Sequence, residues 1–249
     1  IDYVLDGFCW YCFRISKGNV IHNRVVYMKV TYIDHMGSDL SVVNAARVSF
    51  GKSSKAIGYT GIGDDPMVAL INDMDKKLIK YLAKHKHTSP FGHAFASFHI
   101  KAPIFVARQL VKHKFLRWNE ISRRYVDEEP EFYNPTEWRG KSADKKQGSE
   151  GVAKNGFAMG ILVDQEAKDT LLLYTGLIKQ GIAPEMARMV LPQSTMTEWY
   201  WSGSLDALAD MCNLRCAKDT QLETRMVADQ IDETMSNLFP VAWRELRNG

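Results

Sequence analysis

An α+β fold is what this sequence predicts, and three observations carry that reading. Apolar residues recur at helical spacing over much of the chain, strand-like alternation is confined to a few short runs, and no regular strand–helix–strand order links those runs into a parallel sheet. At 249 residues, 45% hydrophobic and 24% charged, the chain can bury a sizeable core. That composition excludes wholesale disorder, collagen-like repeats and a disulfide-stapled miniprotein, and no internal repeat is visible.

The elements follow in order. Residues 1–33 are rich in Tyr, Val, Ile and Phe around Lys17-Gly18-Asn19, which predicts a hairpin. Ser41 is read as the cap of a short helix through Val48. Residues 51–66 carry the Gly, Ser and Asp density of a loop. From Pro66 to Lys84, Val68, Ile71, Leu78, Ile79 and Leu82 follow a helical period. Pro90 and Gly92 then force a turn. Ala94, Ala96, Phe98 and Ile100 alternate with Phe95, Ser97 and His99 as a strand, and Pro103 opens a helix.

Residues 127–156 read as a long polar loop, the kind that is usually functional when it exceeds ~15 residues. Ile161–Lys179 reads as a helix stopped by Gly181, and Pro184 starts a short one through Val190. Thr195–Trp201 alternates as a strand, Ser204 caps a helix to Arg215, and Thr220–Leu238 reads as a last helix before Pro240.

Charge and cysteine usage bound the partners. The 32 Lys and Arg against 29 Asp and Glu leave a net +3, which suits phosphorylated small ligands at a local patch better than a polyanion. No stretch approaches the ~18 apolar residues of a membrane span, and no signal-peptide layout opens the chain, so a cytoplasmic protein without membrane contact is expected. Cys9, Cys12, Cys212 and Cys216 are read as reduced thiols, in preference to a zinc site that would need both pairs to meet. No metal ligand is assigned.

The chemistry concentrates in Lys112-His113-Lys114-Phe115-Leu116-Arg117-Trp118-Asn119-Glu120-Ile121-Ser122-Arg123-Arg124-Tyr125. A dense charge run can be a solvated face. Here the cations are interleaved with Phe115, Leu116, Trp118 and Ile121, which should anchor them on rigid structure. Arginines with a serine hydroxyl suit a phosphate dianion, and Glu120 suits a ribose hydroxyl or a flavin ring edge.

This segment resembles the signature of the flavin-dependent thymidylate synthases, R-H-R-x-x-S-x-N-E-x-S-x-R-Y. It agrees at His113, Asn119, Glu120, Ser122, Arg124 and Tyr125, and departs at Lys112, Lys114 and Arg117. The likeness extends through Asp39-Leu40-Ser41, Ala45 to Phe50, His87 to His93, Phe98 to Gln109, Glu131-Phe132-Tyr133, Ala187 to Pro192 and Asn213-Leu214-Arg215. It implies a single catalytic domain over 29–249, a central antiparallel sheet flanked by helices, and residues 1–28 as an extension outside it.

The same resemblance implies conversion of dUMP to dTMP. Methylenetetrahydrofolate would donate the carbon and FAD reduced by NADPH the hydride, in a homotetramer using no cysteine nucleophile. Gln109, Glu120, Ser122, Arg124, Arg188 and Arg215 match nucleotide-binding positions, with Arg215 as the residue that polarises the pyrimidine. For Arg188 a helix-capping reading competes. His87, Ser89, Lys112, His113, Lys114, Glu120, Ser204 and Asp210 match flavin-side positions. Lysine at 112 and 114 keeps a point charge for the pyrophosphate without the bidentate fork of arginine. Two alternatives remain open on the sequence. One is a related flavin-dependent methylase or hydroxymethylase acting on a nucleotide such as dCMP. The other is a nucleic-acid-binding module, which the modest net charge disfavours, so no nucleic-acid partner is expected.

Overall fold

Antiparallel pairing around one long strand organises the molecule. The computed structural model describes residues 27–61, 67–126, 128–143 and 148–248. In chain order these form β1 (Lys29–Met36), α1 (Asp39–Arg47), β2 (Gly58–Thr60), β3 (Val68–Leu70), α2 (Asp73–Lys84), β4 (Phe95–Pro103), α3 (Ile104–Leu110) and β5 (Arg117–Glu120). There follow β6 (Arg139–Lys141), β7 (Ser149–Val152), α4 (Gly156–Lys179), α5 (Pro184–Ala187), β8 (Met196–Ser204), α6 (Leu205–Arg215), α7 (Leu222–Leu238) and α8 (Ala242–Arg247).

The main sheet has four strands in the order β1-β4-β8-β5, all antiparallel, so the expected α+β class with a central antiparallel sheet is what forms. Its apolar face is written by period-two alternation: Ala96, Phe98 and Ile100 of β4 lie beside Trp199 and Trp201 of β8, all buried. Leu205, Leu208 and Met211 of α6 and Val227, Ala228 and Ile231 of α7 close over that face. Burying each such side chain stabilises the fold by about 1.5–3 kcal/mol. On the opposite face stand Ser97, His99, Lys101, Glu198, Tyr200 and Ser202, joined by a Ser97–Ser202 hydroxyl contact of 2.8 Å and a His99–Glu198 contact of 3.1 Å.

Several local expectations change. The hairpin read in residues 1–33 lies largely outside the described residues; its described end is β1, which pairs with β4. Ser38, not Ser41, caps α1, and Ser41 Oγ instead accepts from the Ser38 N–H at 3.0 Å. Val68 belongs to a two-stranded β2–β3 pair, and α2 starts only at Asp73, where Asn72 accepts from the Asp75 N–H at 3.0 Å. The polar stretch 127–156 holds a second small pair, β6–β7.

The sequence signals of α8 were missed for a physical reason. A six-residue helix does not hold by propensity. Here Asp39 reaches across the fold and accepts from the Val241 and Ala242 N–H groups, each at 2.9 Å, so a distant carboxylate caps it. Burial raises the Asp39 carboxyl above its ordinary range despite those bonds. Asp75, fully buried, ties α2 to α1 through Arg47 at 2.6 Å and to the following loop through Ser54 Oγ at 2.9 Å.

Candidate active site

The end of α3 and the end of α6 meet, and the polar residues of both are aimed at each other. Pro103 starts α3 after β4, which leaves Gln109 in its last turn and His113 in the turn beyond, where the His113 N–H donates to the Leu110 carbonyl at 3.1 Å. Arg215, the last residue of α6, donates from Nε to His113 Nε2 at 3.1 Å and from Nη2 to the Gln109 carbonyl at 3.3 Å. The Gln109 side-chain amide donates to Gln221 Oε1 at 2.5 Å.

Burial, then the Arg215 charge, pushes His113 down to about 4, so its imidazole is neutral. Because Nε2 accepts, the ring proton sits on Nδ1. Burial also lowers the Arg215 guanidinium from its usual value, which leaves it a cation with part of its donor fork uncommitted.

The second group stands on β5. Trp118 stacks on Trp199, centroids 4.4 Å apart and planes 18° apart. Glu120 accepts from Thr197 Oγ1 at 2.6 Å through one oxygen and from Trp118 Nε1 at 3.2 Å through the other. Beyond the strand, Ser122 Oγ accepts from the Arg124 N–H at 3.3 Å. Arg124 is exposed, lies 5.4 Å over the Tyr125 ring and stands 3.9 Å from Glu185. Arg188 donates to the Glu185 carbonyl at 3.3 Å, so the helix-capping contact weighed for it is present, and both arginines converge on one residue of α5.

The third group is the flavin-side set. Lys112 and Lys114 are exposed, and among the described residues neither has an ion-pair partner. His87 and Ser89 are exposed in the segment after α2, with the Tyr81 ring 5.9 Å from His87. The short helical turn Ser89–His93 packs against α6. On that helix Ser204 Oγ donates to Asp206 at 2.5 Å, and burial plus Asp206 raise the Asp210 carboxyl, opposed by Lys86.

Among the described residues, no hydrogen bond or ion pair joins the Arg215 group to Glu120, Ser122 or Arg124. Sequence reasoning did not single out Thr197, Gln221 or Glu185. Thr197 carries the alternation of β8 and nothing more, and the contact that gives it meaning spans 77 positions. Gln221 also lines a cleft of about 430 Å³ with Phe105, Tyr133, Trp138, Arg139 and Glu223. There Arg139 grips the buried Glu223 at 2.6 and 2.9 Å, and burial first, with Glu223 second, pushes Tyr133 up to about 12.

Comparison with known proteins agrees with this arrangement. A family model described as "Thymidylate synthase complementing protein" matches residues 31–241. A flavin-dependent thymidylate synthase of Thermus thermophilus is 41% identical over 216 residues, 86% of this chain and 73% of that protein. One of Kosmotoga olearia is 37% identical over 221 residues, 88% and 90% of the two chains. The crystal structure of the UMP/dUMP methylase PolB from Streptomyces cacaoi bound with 5-Br UMP superposes with a TM-score of 0.75 at 29% identity, covering 89% of this chain and 94% of that one. With the signature segment, the order of its flanking motifs and the sheet that carries them all in agreement, the chain belongs to the Thy1 family of thymidylate synthase complementing proteins.

Proposed function

We propose that this protein is a flavin-dependent thymidylate synthase, methylating dUMP to dTMP with methylenetetrahydrofolate as carbon donor and NADPH as reductant of bound FAD. The observation that carries the reading is Arg215, a half-buried guanidinium held by a neutral His113 and the Gln109 carbonyl. A donor fork fixed in that way suits the O2/N3 edge of a uracil, where it would stabilise charge developing on the ring. Cytosine, whose unprotonated N3 already accepts, offers that edge no anion. The UMP/dUMP methylase among the structural relatives supports the same choice.

Around that group, Ser122 and Arg124 would take the phosphate, with Arg188 near them through Glu185. Glu120 would accept from a ribose hydroxyl or the flavin edge. The donor set fits FAD: Lys112 and Lys114 present unpaired cations for a pyrophosphate, and His87, Ser89, Ser204 and Asp210 lie along the turn and helix on the other side. Bound and reduced, FAD would supply the hydride that completes the methyl group. The protein's own part is to bind and orient the pyrimidine, to hold the ring charge at Arg215 and to keep His113 neutral.

A homotetramer is part of this reading. Phe157, Ile161, Leu162, Leu172 and Leu173 of α4 are exposed apolar side chains, Phe157 at 86%, the surface a further copy would cover. A cytoplasmic setting is part of it too, since reduced folate and nicotinamide pools are kept there. Incubating the FAD-loaded protein with NADPH, methylenetetrahydrofolate and dUMP should yield dTMP. A protein that binds FAD and dUMP but forms no dTMP while consuming NADPH would overturn the assignment.

A further inference from the structure

We infer that Thr197 is a positioning residue for Glu120, with Trp118 as the second anchor of the same carboxylate; this rests on the reading that Glu120 faces bound nucleotide or flavin. Glu120 is an exposed residue on the edge strand β5, and a free glutamate there would sample many rotamers. It is held instead from both sides. Thr197 Oγ1 donates to Oε1 at 2.6 Å, the short length of a hydroxyl bonded to an ionised carboxylate. Trp118 Nε1 donates to Oε2 at 3.2 Å.

Each anchor is itself fixed. Thr197 is 6% exposed, β-branched and therefore stiff about χ1, and its backbone is paired with Ala102 in the middle of the sheet. Trp118 is clamped by its stack on the buried Trp199 and by an edge contact to Trp201, centroids 5.8 Å apart. The register that sets Glu120 opposite Trp199 brings both donors to the carboxylate, and the Ile121 N–H to Glu198 carbonyl bond at 2.9 Å extends that pairing beyond the strand.

Two donors on two strands take different oxygens, so the carboxylate plane is set before any ligand arrives. Each oxygen keeps a lone pair, and both lone pairs remain available to a hydroxyl or ring N–H. A ligand that donates to Glu120 then does not have to order the side chain on binding, which is where preorganisation raises affinity. Thr197 touches no ligand in this account; it acts through Glu120.

The test uses the full-length, FAD-loaded protein with Thr197→Val, which keeps the shape and removes the hydroxyl, and Thr197→Ser, which restores it. Thr197→Val should weaken dUMP binding roughly 10-fold, as expected for loss of one hydrogen bond to a charged group, and Thr197→Ser should recover most of it. In a Glu120→Ala background, Thr197→Val should cause no further loss. Undiminished dUMP affinity in Thr197→Val, or an equal loss with Glu120 already removed, would overturn the inference. A second measurement needs no substrate: in the ligand-free protein the Trp118 indole N–H should exchange with solvent faster in Thr197→Val than in the parent or Thr197→Ser. Failure of the parent to bind dUMP would count against the proposed function alone, and unchanged indole exchange would still sink the role of Thr197.

Discussion

Arg215 and His113 hold each other across 3.1 Å, with the arginine donating from Nε and the imidazole accepting at Nε2. The arrangement works only while His113 is neutral, since a protonated ring would set two cations in contact. Burial and the arginine charge together secure that state.

A pH dependence follows. His113 lies at about 4 in the folded protein against 6.5 for an unperturbed histidine, so as pH falls below 6.5 the unfolded chain takes up this proton first. Its stabilising contribution is complete above 6.5, declines as pH falls, and is gone once pH reaches about 4. His113→Gln keeps an acceptor for Arg215 but does not titrate. Thermal midpoints measured across that range should fall less steeply in the variant; parallel curves would show that His113 titrates normally.

Arg215→Lys separates charge from geometry. Lysine still attracts dUMP but cannot present a planar fork to O2 and an N3 anion. Nucleotide affinity by titration should stay near the parent value. Single-turnover oxidation of prereduced flavin with dUMP and methylenetetrahydrofolate should slow by ~10²–10³, the usual cost of losing one donor aimed at developing charge. Oxidation at the parent rate would reduce Arg215 to a binding or structural residue.

Lys112 and Lys114 should hold FAD without a covalent bond. Heat or acid is expected to release a yellow supernatant, and Lys112→Ala or Lys114→Ala should each weaken flavin retention roughly 10-fold or more. Lys112→Arg should bind FAD at least as well, because the guanidinium adds bidentate geometry. Reconstitution with excess FAD that leaves no bound flavin would remove the basis of the functional reading.

Gly203 gives the signature segment its seat. A Cβ built on Gly203 would lie 2.1 Å from Leu116 Cδ2, and Leu116 is 7% exposed with little room to swing away. Gly203→Ala should therefore destabilise the protein by about 1–3 kcal/mol through overpacking, read by denaturant unfolding. Combining it with Leu116→Ala should cost less than the sum of the two single changes; strict additivity would mean that the contact does not matter.

Cys212→Ala and Cys216→Ala should both retain dTMP formation. Cys212 is fully buried on α6, and burial, with Cys216 beside it, raises its thiol well above the ordinary value, so it is no thiolate nucleophile. A stability loss of about 1 kcal/mol is expected for Cys212→Ala from lost packing. A variant that folds and binds FAD yet forms no dTMP would point to covalent catalysis.

The sequence by itself determined the pieces whose signals are local. The alternation of Ala96, Phe98 and Ile100 marked β4, Ser204 and Arg215 bracketed α6, and Gly181, with φ at +78°, stood just past the end of α4. The grouping of His113, Glu120, Ser122 and Arg124 within one stretch marked where chemistry is concentrated. Only the tertiary structure decided what holds those residues. Thr197 meets Glu120 across 77 positions, Gln221 meets Gln109 across 112, and Asp39 caps α8 from more than 200 positions away. Such pairs depend on strand register and helix docking, and a one-residue slip of β5 against β8 would turn Glu120 to the other face, so neither segment alone encodes the contact.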